Sequence, residues 1–228
     1  AIEFYQKIKP MPIRVFNYDT RRYISVDSEN TDSKIIELYG NPFNGRISDC
    51  SDCDHRANQK IKYSPLTMLI KMKEMKTNID NNHEDFNNAL LIGNAYYNSS
   101  YYGNARAFYY NSIINNNFFM SNLNVDDANS NLVLDFNQAF KYYNIALNAA
   151  ENDEQRAKAT FMLAKIERNN YYSKNYMGLK SFNKMKSSKI FSDWSSFKSL
   201  KENYSDTKYY QEVIKECGYF RTYLGMQK

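Results

Sequence analysis

Two thiols and an imidazole fall within one short run, Cys50-Ser51-Asp52-Cys53-Asp54-His55. Three chemistries are open to it. Oxidation would join Cys50 and Cys53 in a local disulfide that stiffens a loop. Deprotonation would give two thiolates that, with the His55 imidazole, suit zinc or another borderline metal. The thiols could also stay free. A closed zinc site needs a fourth ligand, and with no second CxxC in the sequence Asp49, Asp52 or Asp54 would have to supply it. The same carboxylates disfavour a reactive thiolate, and no thioredoxin-like context surrounds the pair. The expectation taken forward is a Cys50–Cys53 disulfide, with Cys50, Cys53 and His55 as a metal site in the alternative. The third cysteine, Cys217, lies in an apolar stripe and reads as a buried structural thiol.

Other candidates are thinner. Asp127-Ala128-Asn129-Ser130-Asn131 alternates oxygen ligands as a calcium loop does. Leu132 then stands where such a loop needs Gly, and Gln138 where it needs Glu, so helix capping by Ser130 or Asn131 is expected instead. His83 precedes a helix start, and Glu84 and Asp85 read as partners of that helix dipole rather than an acid/base pair. The patterns GxSxG, GxxxxGK[ST], GxGxxG and HExxH do not occur. No catalytic residue and no cofactor is therefore expected.

Tyrosine recurs in pairs: Tyr96-Tyr97, Tyr101-Tyr102, Tyr109-Tyr110, Tyr142-Tyr143, Tyr171-Tyr172 and Tyr209-Tyr210. On a helix, neighbouring side chains point about 100° apart, so one of each pair should pack and the other face outward. The outward ones would offer an aromatic surface to a peptide, a partner or a glycan. Tyr97, Tyr101, Tyr102 and Trp194 are the candidate contacts. Buried inter-helix packing is the competing use of the same rings.

Composition bounds these readings. The chain has 228 residues, of which 43% are apolar, enough for a packed core. Gly (7) and Pro (4) are scarce, against collagen-like, linker-like or turn-dense all-β architectures. Uninterrupted apolar stretches such as Ala89–Ile92 are far too short to span a bilayer. Asn, Lys, Tyr, Ile and Phe make up 103 of the 228 residues, the mark of AT-rich codons, so the mean hydropathy of −0.72 is partly an Asn effect. The net charge of +5 is scattered among acids, and Lys71, Lys73 and Lys76 are broken by Glu74 into a solvated helix face. No nucleic-acid partner is expected.

The positioning elements follow from periodicity. Ile2, Phe4, Tyr5 and Ile8 keep helical spacing up to Pro10, which reads as the end of a helix in a processed chain or a C-terminal fragment. Residues 10–62 alternate briefly (Ile13, Val15; Tyr23, Ile24, Val26) between turn signals, compatible with a two-stranded ribbon or a long ordered loop, with a short helix near Ser33–Tyr39. From Ser64 the period is helical, with Leu66, Leu69, Ile70, Met72, Met75 and Ile79 in the first stripe. A second helix starts near Glu84 and carries Phe86, Ala89, Leu90, Gly93 and Tyr97, followed by a break around Gly103 and a shorter helix with Ala107, Tyr110 and Ile114. Residues 115–131 read as an Asn-rich loop. Leu132 to Ala150 predicts one helix, and Ala157, Phe161, Ala164 and Ile166 its antiparallel neighbour across Asn152-Asp153. Trp194, Phe197 and Leu200 form one last stripe; Tyr210, Val213, Ile214, Cys217, Phe220 and Leu224 form another.

The run Ala139 to Leu147, with Arg156-Ala157-x-Ala159-x-Phe161-x-Leu163-Ala164, resembles divergent tetratricopeptide helices. Phe197-x-x-Leu200-x-x-x-Tyr204-Ser205-Asp206-Thr207-x-Tyr209 resembles the helix-turn-helix junction of the tetratricopeptide repeats in bacterial outer-membrane assembly lipoproteins, with Ser205 where those carry Pro. Asp49 to His55, Gly93 to Asn98, Tyr101 to Asn104 and Glu216 to Phe220 together resemble the C-terminal part of large cell-envelope proteins from Bacteroidota. The resemblance implies an extracytoplasmic helical-repeat protein and no particular activity.

The expected protein is thus an all-α, tetratricopeptide-like array of antiparallel helix pairs over 64–228. An irregular segment, 1–63, carries the cysteine cluster and packs on it. Its expected role is a non-enzymatic interaction scaffold for a protein partner, in the periplasm or at the outer membrane, attached only through an anchor outside this chain. A glycan- or nutrient-binding envelope lipoprotein is the alternative. The glycan reading expects an exposed aromatic platform including Trp194 or the Tyr96 to Tyr102 region; the scaffold reading expects Trp194 buried between helices.

Overall fold

The helical part opens on a reciprocal cap. The Ser64 N–H donates to Thr67 Oγ1 (2.8 Å) and the Thr67 N–H donates to Ser64 Oγ (3.1 Å), with Pro65 at the first helical position, where a missing N–H costs nothing. The structure is a computed structural model that describes residues 2–3, 13–17, 22–26, 38, 40–47, 60–81, 85–100, 102–103, 134–176 and 194–226. Among them lie strands β1 (Ile13–Asn17) and β2 (Arg22–Val26). The helices are α1 (Pro65–Asn81), α2 (Phe86–Asn98), α3 (Asn137–Asn148), α4 (Asp153–Tyr176), α5 (Ser195–Asn203), α6 (Lys208–Glu216) and α7 (Gly218–Tyr223). The strands form an antiparallel ribbon with Ile13 opposite Val26 and Asn17 opposite Arg22. The described protein is otherwise helical, and none of its described helices is long and apolar enough to cross a membrane.

The helices pack in chain order: α1 on α2, α2 on α3, α3 on α4 and α4 on α5, with α6 also on α4 and against α7. Fully buried alanines (Ala89, Ala95, Ala139, Ala146, Ala157, Ala159, Ala164) allow close approach. Gly93 goes further. A Cβ built there would lie 2.5 Å from two ring carbons of Tyr143 on α3, so the α2–α3 crossing tolerates no side chain at this point.

Local chemistry sets the ends. Asp85 accepts from the Asn88 N–H at 2.9 Å and starts α2. Asn152 Oδ1 accepts from the Gln155 N–H while Gln155 Oε1 accepts from the Glu151 N–H, which turns the chain between α3 and α4.

Four expectations need correction. The helix predicted from Leu132 begins at Asn137, because Asp135 Oδ1 takes the Asn137 N–H and ends the extended lead-in; residues 131–133 lie outside the described set. On α1 the buried stripe is Met68, Met72, Met75 and Ile79, and Ile70 is exposed, since the main described packing of α1 is against α2. The last stripe is two helices. The backbone breaks at Cys217 (φ −100°, ψ 103°), and Arg221 Nη1 donates to the Ile214 and Lys215 carbonyls freed there (2.8 and 2.7 Å). Finally, the one-in, one-out rule for tyrosine pairs holds for Tyr96-Tyr97. It fails for Tyr142-Tyr143 and Tyr209-Tyr210, whose members are all buried, because α3 and α6 each have neighbours on two sides.

Candidate functional site

A buried polar cluster lies where α2 meets α4. From α2, Asn94 and Asn98 stand one turn apart, with Tyr97 between them. From α4 come Lys165, Arg168 and Asn169, all buried, which continue the stripe begun by Ala157 and Phe161. A strap of chain, 40–47, sits against these side chains. Gly40, Pro42, Phe43 and Ile47 are buried.

The bonding is specific. Asn94 Nδ2 donates to the Phe43 carbonyl at 3.0 Å, and its Oδ1 accepts from the Tyr143 hydroxyl at 2.9 Å, which fixes the amide orientation. Asn98 Nδ2 donates to both the Pro42 and the Asn44 carbonyls (3.0 and 2.8 Å). Lys165 Nζ donates to the Arg46 carbonyl at 2.7 Å and lies 4.6 Å from the centre of the Tyr97 ring. Asn169 Nδ2 donates to the Tyr97 hydroxyl at 2.7 Å, while Asn169 Oδ1 accepts from Arg168 Nε and Nη2 (2.9 and 2.7 Å). The Arg168 guanidinium also lies 4.9 Å from the centre of the Tyr219 ring.

Burial governs the electrostatics. It pulls the Lys165 ammonium down to about 7, against a smaller upward pull from Cys217. Burial also lowers the Arg168 guanidinium. It pushes the Tyr97 and Tyr143 hydroxyls well above their usual value, so both stay neutral hydrogen-bonding groups.

The sequence candidates divide. Tyr97 (2% exposed) and Trp194 (4% exposed) are core residues and drop out as surface contacts. Tyr102 is half-buried, its ring centre 6.0 Å from that of Phe136. Tyr101, Cys50, Cys53, His55, His83 and the 127–131 segment lie outside the described residues. Among the described residues no group of His, Cys, Asp and Glu could hold a metal ion. Cys217 is buried, as expected of a structural thiol.

Sequence reasoning passed over Asn94, Asn98, Lys165, Arg168 and Asn169. A signal was present: each continues, at helical spacing, a face that is otherwise apolar or small. Among the described residues, the exposed aromatics that remain are Tyr96, Phe140 and Tyr219. Tyr96 stacks on Tyr142 across α2 and α3 (centroids 5.7 Å, planes 14° apart). Set against protein-family models, curated proteins and solved structures, the chain matches none.

Proposed function

We propose that this chain is a non-enzymatic interaction scaffold of the bacterial cell envelope, its helices forming a tetratricopeptide-like solenoid that presents a surface to a protein partner. The observation that carries the reading is the packing of successive helices from α1 to α5, each on the next, the organisation by which stacked helix pairs build an extended surface. The turn between α3 and α4, and the buried alanines along both, support the same reading. The polar side chains of the α2–α4 cluster hold backbone carbonyls and one another, which is positioning rather than acid, base or nucleophile work. The resemblance to Bacteroidota envelope proteins supports an extracytoplasmic location, with an anchor outside this chain.

The burial of Trp194 and Tyr97 favours the scaffold over the glycan-binding alternative at those two positions, while Tyr96 stays exposed. The exposed Tyr96 and Phe140 are the surface contacts this reading selects. The purified chain should bind an envelope-protein fraction saturably and a panel of soluble glycans not at all, with Tyr96→Ala and Phe140→Ala weakening the protein binding. Glycan binding, or protein binding indifferent to both substitutions, would overturn it.

A further inference from the structure

The strap 41–47 is held as a peptide ligand is held. It makes its own turn: the Phe43 N–H donates to Asn41 Oδ1 (2.9 Å) and the Asn44 N–H donates to the Asn41 carbonyl (3.2 Å). The helices meet that turn through its backbone. Asn94, Asn98 and Lys165 donate to the carbonyls of Pro42, Phe43, Asn44 and Arg46, from partners 51 to 119 residues away in sequence. Two side-chain requirements accompany these bonds. Phe43 is an aromatic anchor, buried, with its ring edge-on to Tyr63 at 5.0 Å. Residue 45 must be glycine, because a Cβ there would lie 2.9 Å from Asn94 Nδ2, which is pinned by Phe43 and Tyr143. Backbone capture plus one anchor ring and one glycine gate is peptide-recognition chemistry, and Tyr143 orients Asn94 from outside the strap while the Tyr97 ring lies beside Lys165.

We propose that the donor set formed by Asn94 and Asn98 of α2 and Lys165 of α4 is a peptide-recognition site, occupied in cis by residues 41–47, and that its partner ligand is a protein segment with the same chemistry: an Asn-led turn, an aromatic residue two positions on, and glycine two positions after that. This deepens the scaffold reading and rests on it. The strap then acts as a resident competitor. A free partner segment binds only as the strap gives way, so affinity is set by the difference between the two.

The test uses the full chain and a fluorescent synthetic peptide with the sequence of residues 40–47. In the double variant Phe43→Ala/Gly45→Ala the strap loses its anchor and its fit. Fluorescence anisotropy should show this variant binding the peptide at least about tenfold more tightly than the wild-type chain does. Adding Asn98→Ala should weaken that binding about tenfold, and a peptide with alanine in place of its phenylalanine should not bind. A double variant that keeps its helical circular dichroism yet binds no peptide overturns the site. If the double variant does not fold, hydrogen exchange on the wild-type chain decides. Millimolar peptide should speed amide exchange across 41–47 by displacing the strap, and unchanged exchange overturns the site. Neither failure touches the scaffold reading, whose own test runs through Tyr96 and Phe140.

Discussion

Glu154 and Glu167, both on α4, each seat the N-terminus of a later helix. Glu167 accepts from the Ser195 and Ser196 N–H groups (2.9 and 3.0 Å) at the start of α5. Glu154 accepts from the Lys208 and Tyr209 N–H groups (2.6 and 3.0 Å) at the start of α6. One helix therefore orients two others by offering carboxylates to their unpaired donors and to the positive end of their dipoles.

The two seats should differ in consequence. Helix α6 has a second cap, Thr207 Oγ1 accepting from the Tyr210 N–H at 3.1 Å, whereas the N-cap of α5 is Trp194, which has no capping side chain. Glu167→Ala should cost about 1–2 kcal/mol of stability and Glu154→Ala less. The residues lie roughly 20 Å apart along the helix, so the double variant should show additive losses. Urea unfolding of the three variants reads this directly. A larger loss at Glu154 would show that α6 relies on α4 more than on its own threonine.

Gly93→Ala inverts the usual helix rule. Alanine in place of a mid-helix glycine ordinarily stabilises by about 0.5–1 kcal/mol. Here the new methyl would meet the Tyr143 ring at 2.5 Å, and Tyr143 is fully buried with its hydroxyl bonded to Asn94. Overpacking should win, with a net loss of about 1–3 kcal/mol in denaturant melts. Gly93→Ala combined with Tyr143→Leu should recover part of it, since the pair shares one contact.

Tyr97→Phe tests whether the α2–α4 cluster is a coupled network. It removes only the hydroxyl that accepts from Asn169 Nδ2 at 2.7 Å. The ring stays under Lys165, but a buried amide donor loses its acceptor. The expected loss is about 1–3 kcal/mol by chemical denaturation. Asn169→Leu in the Tyr97→Phe background should cost less than Asn169→Leu alone, because the hydroxyl that would lose its shortest hydrogen bond is already gone.

The starts of α1, α2 and α4 were legible because they are local. Ser64-Pro65, Asp85 and Asn152 cap where their side chains meet backbone a turn away. The break at Cys217 was not, since its stripe continues unbroken through Phe220 and the interruption depends on Arg221 reaching back to two carbonyls. The polar cluster was hidden for a different reason. Lys165 and Arg168 look like solvated charges, and their burial is met by partners the sequence does not announce: the Arg46 carbonyl, the Tyr97 and Tyr219 rings and the Asn169 side chain. Asn94, Asn98 and Asn169 were masked by a composition already rich in asparagine.

Lys165 gives a pH signature. Its ammonium titrates near about 7 when folded and near 10.5 when not, because burial penalises the charge. Between those values the unfolded chain binds the extra proton, so stability should rise with pH from about 7 toward 10 and level off below about 7, where both states are protonated. Among the groups facing it are the Tyr97 ring on α2, the Arg46 carbonyl of the strap and Cys217 between α6 and α7. Tyr97 and Tyr143 work the other way above about 10, where the unfolded tyrosines ionise and the buried ones resist, so the window to read is about pH 6 to 9.5. Lys165→Met should flatten the slope in that window, as measured by urea unfolding at a series of pH values. It should also loosen the strap, seen as faster amide exchange at residues 44–47, since the Arg46 carbonyl loses its donor. A slope unchanged by the substitution would mean that Lys165 carries the same charge in both states across that range.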